Sequence, residues 1–257
     1  MISKEYIQGI AKKGFRHDGR KFDEYRQPVE IEYGVSSKSA EGSARVKVGD
    51  TEVVAGVKLD IGTPYSDKPD EGSIMVNVEL LPLSSTRYEA GPPDINAIEL
   101  SRVIDRGIRE CHAVDFKKLC VEKGEKVWMV FIDIYPINAA GNLADVCSLA
   151  ALAALKDAKF PTLKDGVVDY KTRTKDSLPV QKDPVECTVW KVADKYLIDP
   201  TVDEEFAADA RLTLAFTDKG KIAAMQKGGE SPLSSEDIES MATLASEKAK
   251  ELRGHLK

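Results

Sequence analysis

Three groups of residues in this chain have types and spacings that could do chemistry. Asn138-Ala139-Ala140-Gly141-Asn142-Leu143-Ala144-Asp145 is a small-residue turn that opens a helix. In such a turn unpaired backbone amides point outward and can hold an anion. Ile198-Asp199-Pro200-Thr201-Val202-Asp203-Glu204-Glu205, followed by Asp209-Ala210-Arg211-Leu212-Thr213, concentrates carboxylates. Carboxylates are suited to acid–base work, although sequence spacing alone brings no two of them together. Arg102, Arg106 and Arg109 are spaced i, i+4 and i+7, so on a helix they share one face, opposite Ala97, Leu100, Ile104 and Ile108. Such a strip can grip an RNA backbone through bidentate phosphate contacts without reading bases. It can equally be a solvated face on which Glu99 and Asp105 pair with Arg102 and Arg109.

The turn at Gly141 lacks what phosphate binding usually adds to free amides, a hydroxyl and an Arg or Lys; it has Asn142 and Leu143 instead. Asn142 suits a helix cap, and Asp145 three residues on could complete a capping box, setting a negative charge close to any anion. A capped, buried helix is therefore the expectation from the residues themselves. No Walker-type loop, Gly-x-Ser-x-Gly or His-Glu-x-x-His is present, and Gly228-Gly229 reads as a turn. Cys111, Cys120, Cys147 and Cys187 are widely spaced and accompanied only by His17, His112 and His255. This predicts reduced thiols and neither a zinc site nor any other metal or cofactor. Asp18-Gly19 reads as a turn flanked by the salt-bridge or interface residues Arg16 and Arg20, and Trp128 and Trp190 as core or subunit-interface residues.

The elements that must position these groups are legible in outline. Ser3 caps a helix over about 3–13, and residues 28–83 are strand-rich, with Ala44, Val46 and Val48 alternating against Arg45 and Lys47. Asp94 caps a helix to about Ala113, Val127–Ile137 is a strand, and Cys147–Ala158 is a buried helix body. Strands are expected near 178–180, 186–192, 196–198, 212–216 and 222–225. The last helix, about 234–253, has a capping box in Ser234 and Asp237 and a stripe of Ile238, Met241, Leu244, Ala245 and Leu252. With no low-complexity linker, residues 1–257 read as a single α/β (α+β) domain. Charged residues make up 31% of the chain and the net charge is −6. That balance argues against a free-standing nucleic-acid binder but leaves room for a local basic strip on a subunit of a larger assembly. No apolar run suggests a membrane span or signal peptide, so a cytoplasmic location is expected.

The opening Arg16-x-Asp18-Gly19-Arg20, Asp23, Arg26 and Gly42-Ser43-Ala44-Arg45-Val46-Lys47-Val48-Gly49-Asp50-Thr51 resemble the signature of the RNase PH superfamily of phosphorolytic 3′→5′ exoribonucleases. The resemblance covers about residues 14–252. Gly91-Pro92-Pro93-Asp94-Ile95-Asn96-Ala97-Ile98-Glu99-Leu100 and Gly141-Asn142-Leu143-Ala144-Asp145 are most similar to the non-catalytic RNase PH-type subunit of the archaeal exosome. The resemblance implies the RNase PH fold, two βαβ-type halves packed as one domain. It also implies that active members carry Gly-Ser/Thr-Arg where this chain has Gly141, Asn142 and Leu143, and an aspartate where it has Arg211. No catalytic residue is then expected, although Glu205 and Asp199 match parts of the acidic motif. The implied partners are a catalytic RNase PH-type subunit, three such pairs forming a hexameric ring, trimeric RNA-binding cap proteins and single-stranded RNA. RNA would meet Arg102, Arg106 and Arg109, with Arg87 in the preceding loop a further candidate. The alternatives are a phosphorolytic exoribonuclease active on its own and an RNA-binding scaffold without a catalytic partner.

Overall fold

The computed structural model describes residues 2–164 and 166–257. The alternating apolar residues of the first half build a sheet from β1 (Val29–Tyr33), β2 (Gly42–Val48), β3 (Thr51–Gly62), β4 (Ser73–Val78), β5 (Cys120–Glu122) and β6 (Lys126–Asn138). Its order is β1-β2-β3-β6-β4, with β5 beside β6. Only β4 and β6 run parallel, and parallel neighbours need a long crossover; here it carries α2 (Ile95–Glu110). Asp94 caps that helix as expected, its carboxylate accepting from the Ala97 amide at 2.8 Å.

Helix α3 (Leu143–Asp157) follows β6. It is Ala- and Leu-rich on every side, and a helix without a polar face is stable only when covered all round. Val146 through Leu155 are all buried, against β2, β3 and β6 of the first sheet and against β9 (Val185–Val192) of the second. The second sheet, also containing β10 (Lys195–Ile198), β11 (Ala210–Phe216) and β12 (Ile222–Gly228), is antiparallel throughout in the order β10-β9-β11-β12. Side chains of both sheets and of α3 form one continuous apolar core. A smaller cluster holds α1 (Lys4–Lys12) against α4 (Val202–Ala207) through Ile7, Ala11 and Ala207.

Helix α5 (Ser235–Arg253) packs on β9 and β11 and has the expected capping box. Ile238 departs from its expected place in the apolar stripe and is 38% exposed. Asp237 takes the inward position in that turn, because Lys191 and the Tyr196 hydroxyl both donate to it from the sheet. Two further departures lie between the sheets. The expected strand at 178–180 reduces to a single bridge from Val114 to Val180. An unexpected hairpin forms instead from β7 (Lys159–Lys164) and β8 (Val167–Ser177), with polar residues on both faces of β8 hiding the strand period. Cys111, Cys147 and Cys187 are buried free thiols and Cys120 is partly buried. No helix among the described residues is long and apolar enough to cross a membrane.

Candidate functional site

The turn between β6 and α3 is fastened from two directions. Thr51 Oγ1 donates to the Gly141 carbonyl at 2.7 Å, and Arg26 donates to the Ala140 and Gly141 carbonyls at 2.6 and 3.1 Å. Gly141 has φ of +105°, and a Cβ there would lie 2.3 Å from the Pro200 carbonyl oxygen, so only glycine serves both conformation and contact.

Asn142 does not cap α3, contrary to expectation. It sits in the left-handed region at φ 56°, with no hydrogen bond from its side chain to the helix amides. That backbone turns the amide side chain away from the helix axis. Its Nδ2 donates instead to Asp199 Oδ1 at 3.1 Å, behind the site. Asp145 does not complete a box either. It is buried, accepts from the Thr188 amide at 2.8 Å, and burial pushes its carboxyl up to about 8. The expected negative charge at the mouth of the turn therefore comes from elsewhere. Glu205, on α4, accepts the Asn142 backbone amide at 2.8 Å through Oε1. An amide that could have held an anion is held by the chain's own carboxylate. Burial pushes that carboxyl upward, opposed by the Asn142 amide and by the positive charges of Arg87, Arg26 and Arg211.

The rest of the acidic stretch is structural. Asp199 is fully buried and receives Arg20 Nη1, three nitrogens of Arg26 and Asn142 Nδ2. Glu204 accepts both Arg16 Nε and Nη2, at 2.8 and 2.6 Å, and also completes a capping box with Thr201. Arg16 and Arg20 are thus salt-bridge residues, as their turn-flanking positions suggested. No group of three or more His, Cys, Asp or Glu side chains is arranged to hold a metal among the described residues.

In front of the turn lies a cleft of about 240 Å³. Its walls include Leu143, Glu205 and Arg211, with Arg87 and Tyr88 from the loop before α2, Glu99 from α2 and Trp190 from β9. Two arginines face two glutamates, so the cleft has no surplus positive charge with which to hold phosphate. Arg211 donates from Nη2 to Glu99 Oε1 at 2.8 Å and lies over the Trp190 ring at 5.5 Å. Of the positions where the resemblance implies that active members carry other residues, Leu143 and Arg211 meet in this cleft, while Asn142 turns its side chain into the protein behind it. Trp128 is core, packed on Phe160, but Trp190 is a cleft wall; alternation placed it on a strand, and only the sheet register shows what it faces.

Helix α2 carries the three arginines but treats them differently. Arg102 is exposed and makes no ion pair among the described residues, and Arg106 makes one long bond, 3.4 Å, to Gln226 Oε1. Arg109 is folded back, donating twice to Asp105 at 3.0 and 2.7 Å and once to the Ile74 carbonyl at 2.9 Å. The expected Asp105–Arg109 pair forms; the expected Glu99–Arg102 pair does not, because Glu99 is taken by Arg211. Arg102 and Arg106 line a groove with Ile95 and Ile98 that shares Glu99 and Val103 with the cleft. Arg87, expected only as a loop candidate, stands at the junction of the cleft and the loop leading to α2.

Comparison with known proteins places these features in a family. The model described as the 3′ exoribonuclease family, domain 1, matches residues 25–161, and that for domain 2 of the same family matches residues 184–248. The chain is 47% identical over 256 residues to the exosome complex component Rrp42 of Methanocella arvoryzae, covering 99% of this chain and 95% of that protein. It superposes on a chain of the Archaeoglobus fulgidus exosome with RNA bound to the active site. The TM-score is 0.92 at 45% identity, covering 99% of this chain and 97% of that one. A chain of an archaeal exosome core is similar at a TM-score of 0.86 and 43% identity, covering 97% and 94% of the two chains.

Proposed function

This chain belongs to the RNase PH family of 3′ exoribonucleases, and from that premise we propose that it is a non-catalytic subunit of an archaeal exosome. In this reading it pairs with a catalytic RNase PH-type subunit, three pairs close a hexameric ring, and trimeric RNA-binding proteins cap one face. The ring works in the cytoplasm on single-stranded RNA, cutting it with phosphate from the 3′ end. This chain shapes the partner's active site and grips RNA through Arg102 and Arg106, with Arg109 and Arg87 beside them.

The observation that carries the proposal is the composition of the cleft. Phosphorolysis needs phosphate held as a nucleophile by amides, a hydroxyl and a cation, and a carboxylate acting with a metal or as an acid. Here the Asn142 amide is bound to Glu205, the Leu143 side chain offers no donor, and Arg211 is neutralised by Glu99. A guanidinium in the place of an aspartate also repels a divalent cation. Arg102 and Arg106 remain exposed, and guanidinium groups in that state suit phosphate contacts.

The test is phosphate-dependent degradation of a short unstructured RNA by this chain, by the catalytic subunit, and by the two together. Nucleoside diphosphate release confined to the mixture, or far stronger there than with either subunit alone, supports the reading. Robust release by this chain alone overturns it.

A further inference from the structure

We propose that Arg211 is a positioning residue. It ties the first half of α2 to the second sheet and so sets where Arg102 stands, a role that rests on reading the arginine strip as RNA contacts.

The two halves of α2 are held unequally. Toward its end, Ile104, Gly107 and Ile108 are buried and Arg109 is bonded to the first sheet. In its first half only Ala97 is buried, while Ile95 and Ile98 are 75% and 44% exposed. Apolar contact holds this half only through Ala97 and the partly buried Leu100, and two polar ties add to it. Ser101 Oγ accepts the Val78 amide at 3.0 Å, fixing the helix to the first sheet. Arg211 donates to Glu99 at 2.8 Å, fixing it to the second. Glu99 precedes Arg102 by three residues, so the second tie bears on the turn from which Arg102 projects.

The sheet is shaped around this guanidinium. In the strand register, Arg211 on β11 lies between Trp190 on β9 and Gly228 on β12. The indole supports the guanidinium from one side. On the other, a Cβ at position 228 would come within 2.5 Å of Arg211 Cζ. The indole on one side and Glu99 ahead at 2.8 Å give the guanidinium a defined direction. Three adjacent strands direct its charge across the cleft to α2.

The experiment uses the ring assembled with its catalytic partner and a short unstructured RNA, comparing Arg211→Gln, Glu99→Gln, the double variant and Arg211→Lys. Arg102→Gln/Arg106→Gln serves as the benchmark. Each single change is expected to weaken RNA binding by about three- to tenfold, the scale of a partly exposed ion pair supported by an aromatic ring. The double variant should be no weaker than either single one, since both remove the same tie. Lys at 211 should recover part of the loss, keeping the charge but not the planar stack. Because no phosphate contact is removed, Arg211→Gln should leave the salt dependence of binding unchanged, whereas the benchmark should flatten it. In the isolated chain, hydrogen exchange of the amides at 97–103 should quicken in Arg211→Gln and Glu99→Gln.

Unchanged exchange at 97–103, or additive losses in the double variant, overturns the proposal. So does a salt slope flattened by Arg211→Gln, which would make Arg211 itself a phosphate contact. If the benchmark leaves affinity intact, the RNA reading of the strip fails, and the exchange measurement still decides whether Arg211 fixes the helix.

Discussion

Two sets of buried acids meet where α3 joins the sheets, and the protein treats them in opposite ways. Asp199 accepts from two arginines and an asparagine, and every one of those donors comes from a distant part of the chain. Asp145 has one backbone donor, at 2.8 Å, while Glu186 on β9 has no hydrogen-bond partner on either oxygen among the described residues. Burial, reinforced by the Asp199 charge at Asp145 and by the Asp145 charge at Glu186, pushes both carboxyls up to about 8, which favours their protonated forms at neutral pH. Both sets are buried, yet only the first is an ion-pair network. The difference shows what holds the acidic stretch in place: Asp199 and Glu204 serve arginines that lace the halves together, whereas Asp145 and Glu186, without arginines, favour the neutral form. Neither arrangement leaves an ionised carboxylate free to act on a substrate.

The comparison can be broken most severely at Asp199. Asp199→Ala leaves Arg26 and Arg20 without their buried counter-ion and should lower unfolding free energy by about 3–5 kcal/mol, measured by denaturant titration. A loss under 1 kcal/mol would mean the network is ornamental. Glu186→Gln sharpens the other side and carries the opposite sign. The folded state keeps this proton up to about pH 8, whereas the unfolded chain releases it near the ordinary carboxylate value of 4.5. Stability therefore falls as pH rises through that window and levels off above it. The variant should be more stable than the parent at pH 8 by on the order of 1–3 kcal/mol and indistinguishable near pH 4. Thermal melts at the two pH values decide this, and equal melting at pH 8 would show that Glu186 is ionised and solvated.

Asn142→Ala tests the link between the turn and the network. It removes a donor to Asp199 and puts alanine in the left-handed region, so about 1–2 kcal/mol should be lost. If the asparagine were only a helix cap, Asn142→Ser would be neutral, and it should not be. The smallest effect belongs to an exposed acid outside both sets. Asp94→Ala removes the cap of α2 and should lower stability by about 1 kcal/mol, with faster hydrogen exchange confined to the first turn of that helix.

How much of this could be read from the residues depended on how local each cause was. The caps at Ser3, Asp94 and Ser234, the buried body of α3 and the alternation in β2 and β6 are set by neighbours a few positions away, and all of them form. Asn142 has the composition of a cap but not the backbone, because Gly141 must fit beneath Pro200 and Asp199 draws the side chain inward. That cause lies far along the chain, and local spacing could not show it. The same holds for Arg211, whose partner Glu99 and support Trp190 are visible only once β9, β11 and α2 are assembled. The meeting of Leu143 and Arg211 in one cleft was expected from family resemblance, not from spacing. The hairpin of β7 and β8 was missed because a strand exposed on both faces carries no two-residue hydrophobic period.

The enclosure of α3 has a consequence for how the protein is made. The helix precedes every strand of the second sheet, yet one of its faces is covered by β9 of that sheet. After Asp157 is synthesised, the ribosome must add about 70 residues before β12 ends at Gly228, a delay on the order of 4–14 s at roughly 5–20 residues per second. Throughout that interval the face of the helix that β9 comes to cover lacks its partner. The nascent chain is therefore most open to aggregation or chaperone capture at Val146–Leu155, and completion of the second sheet closes that window.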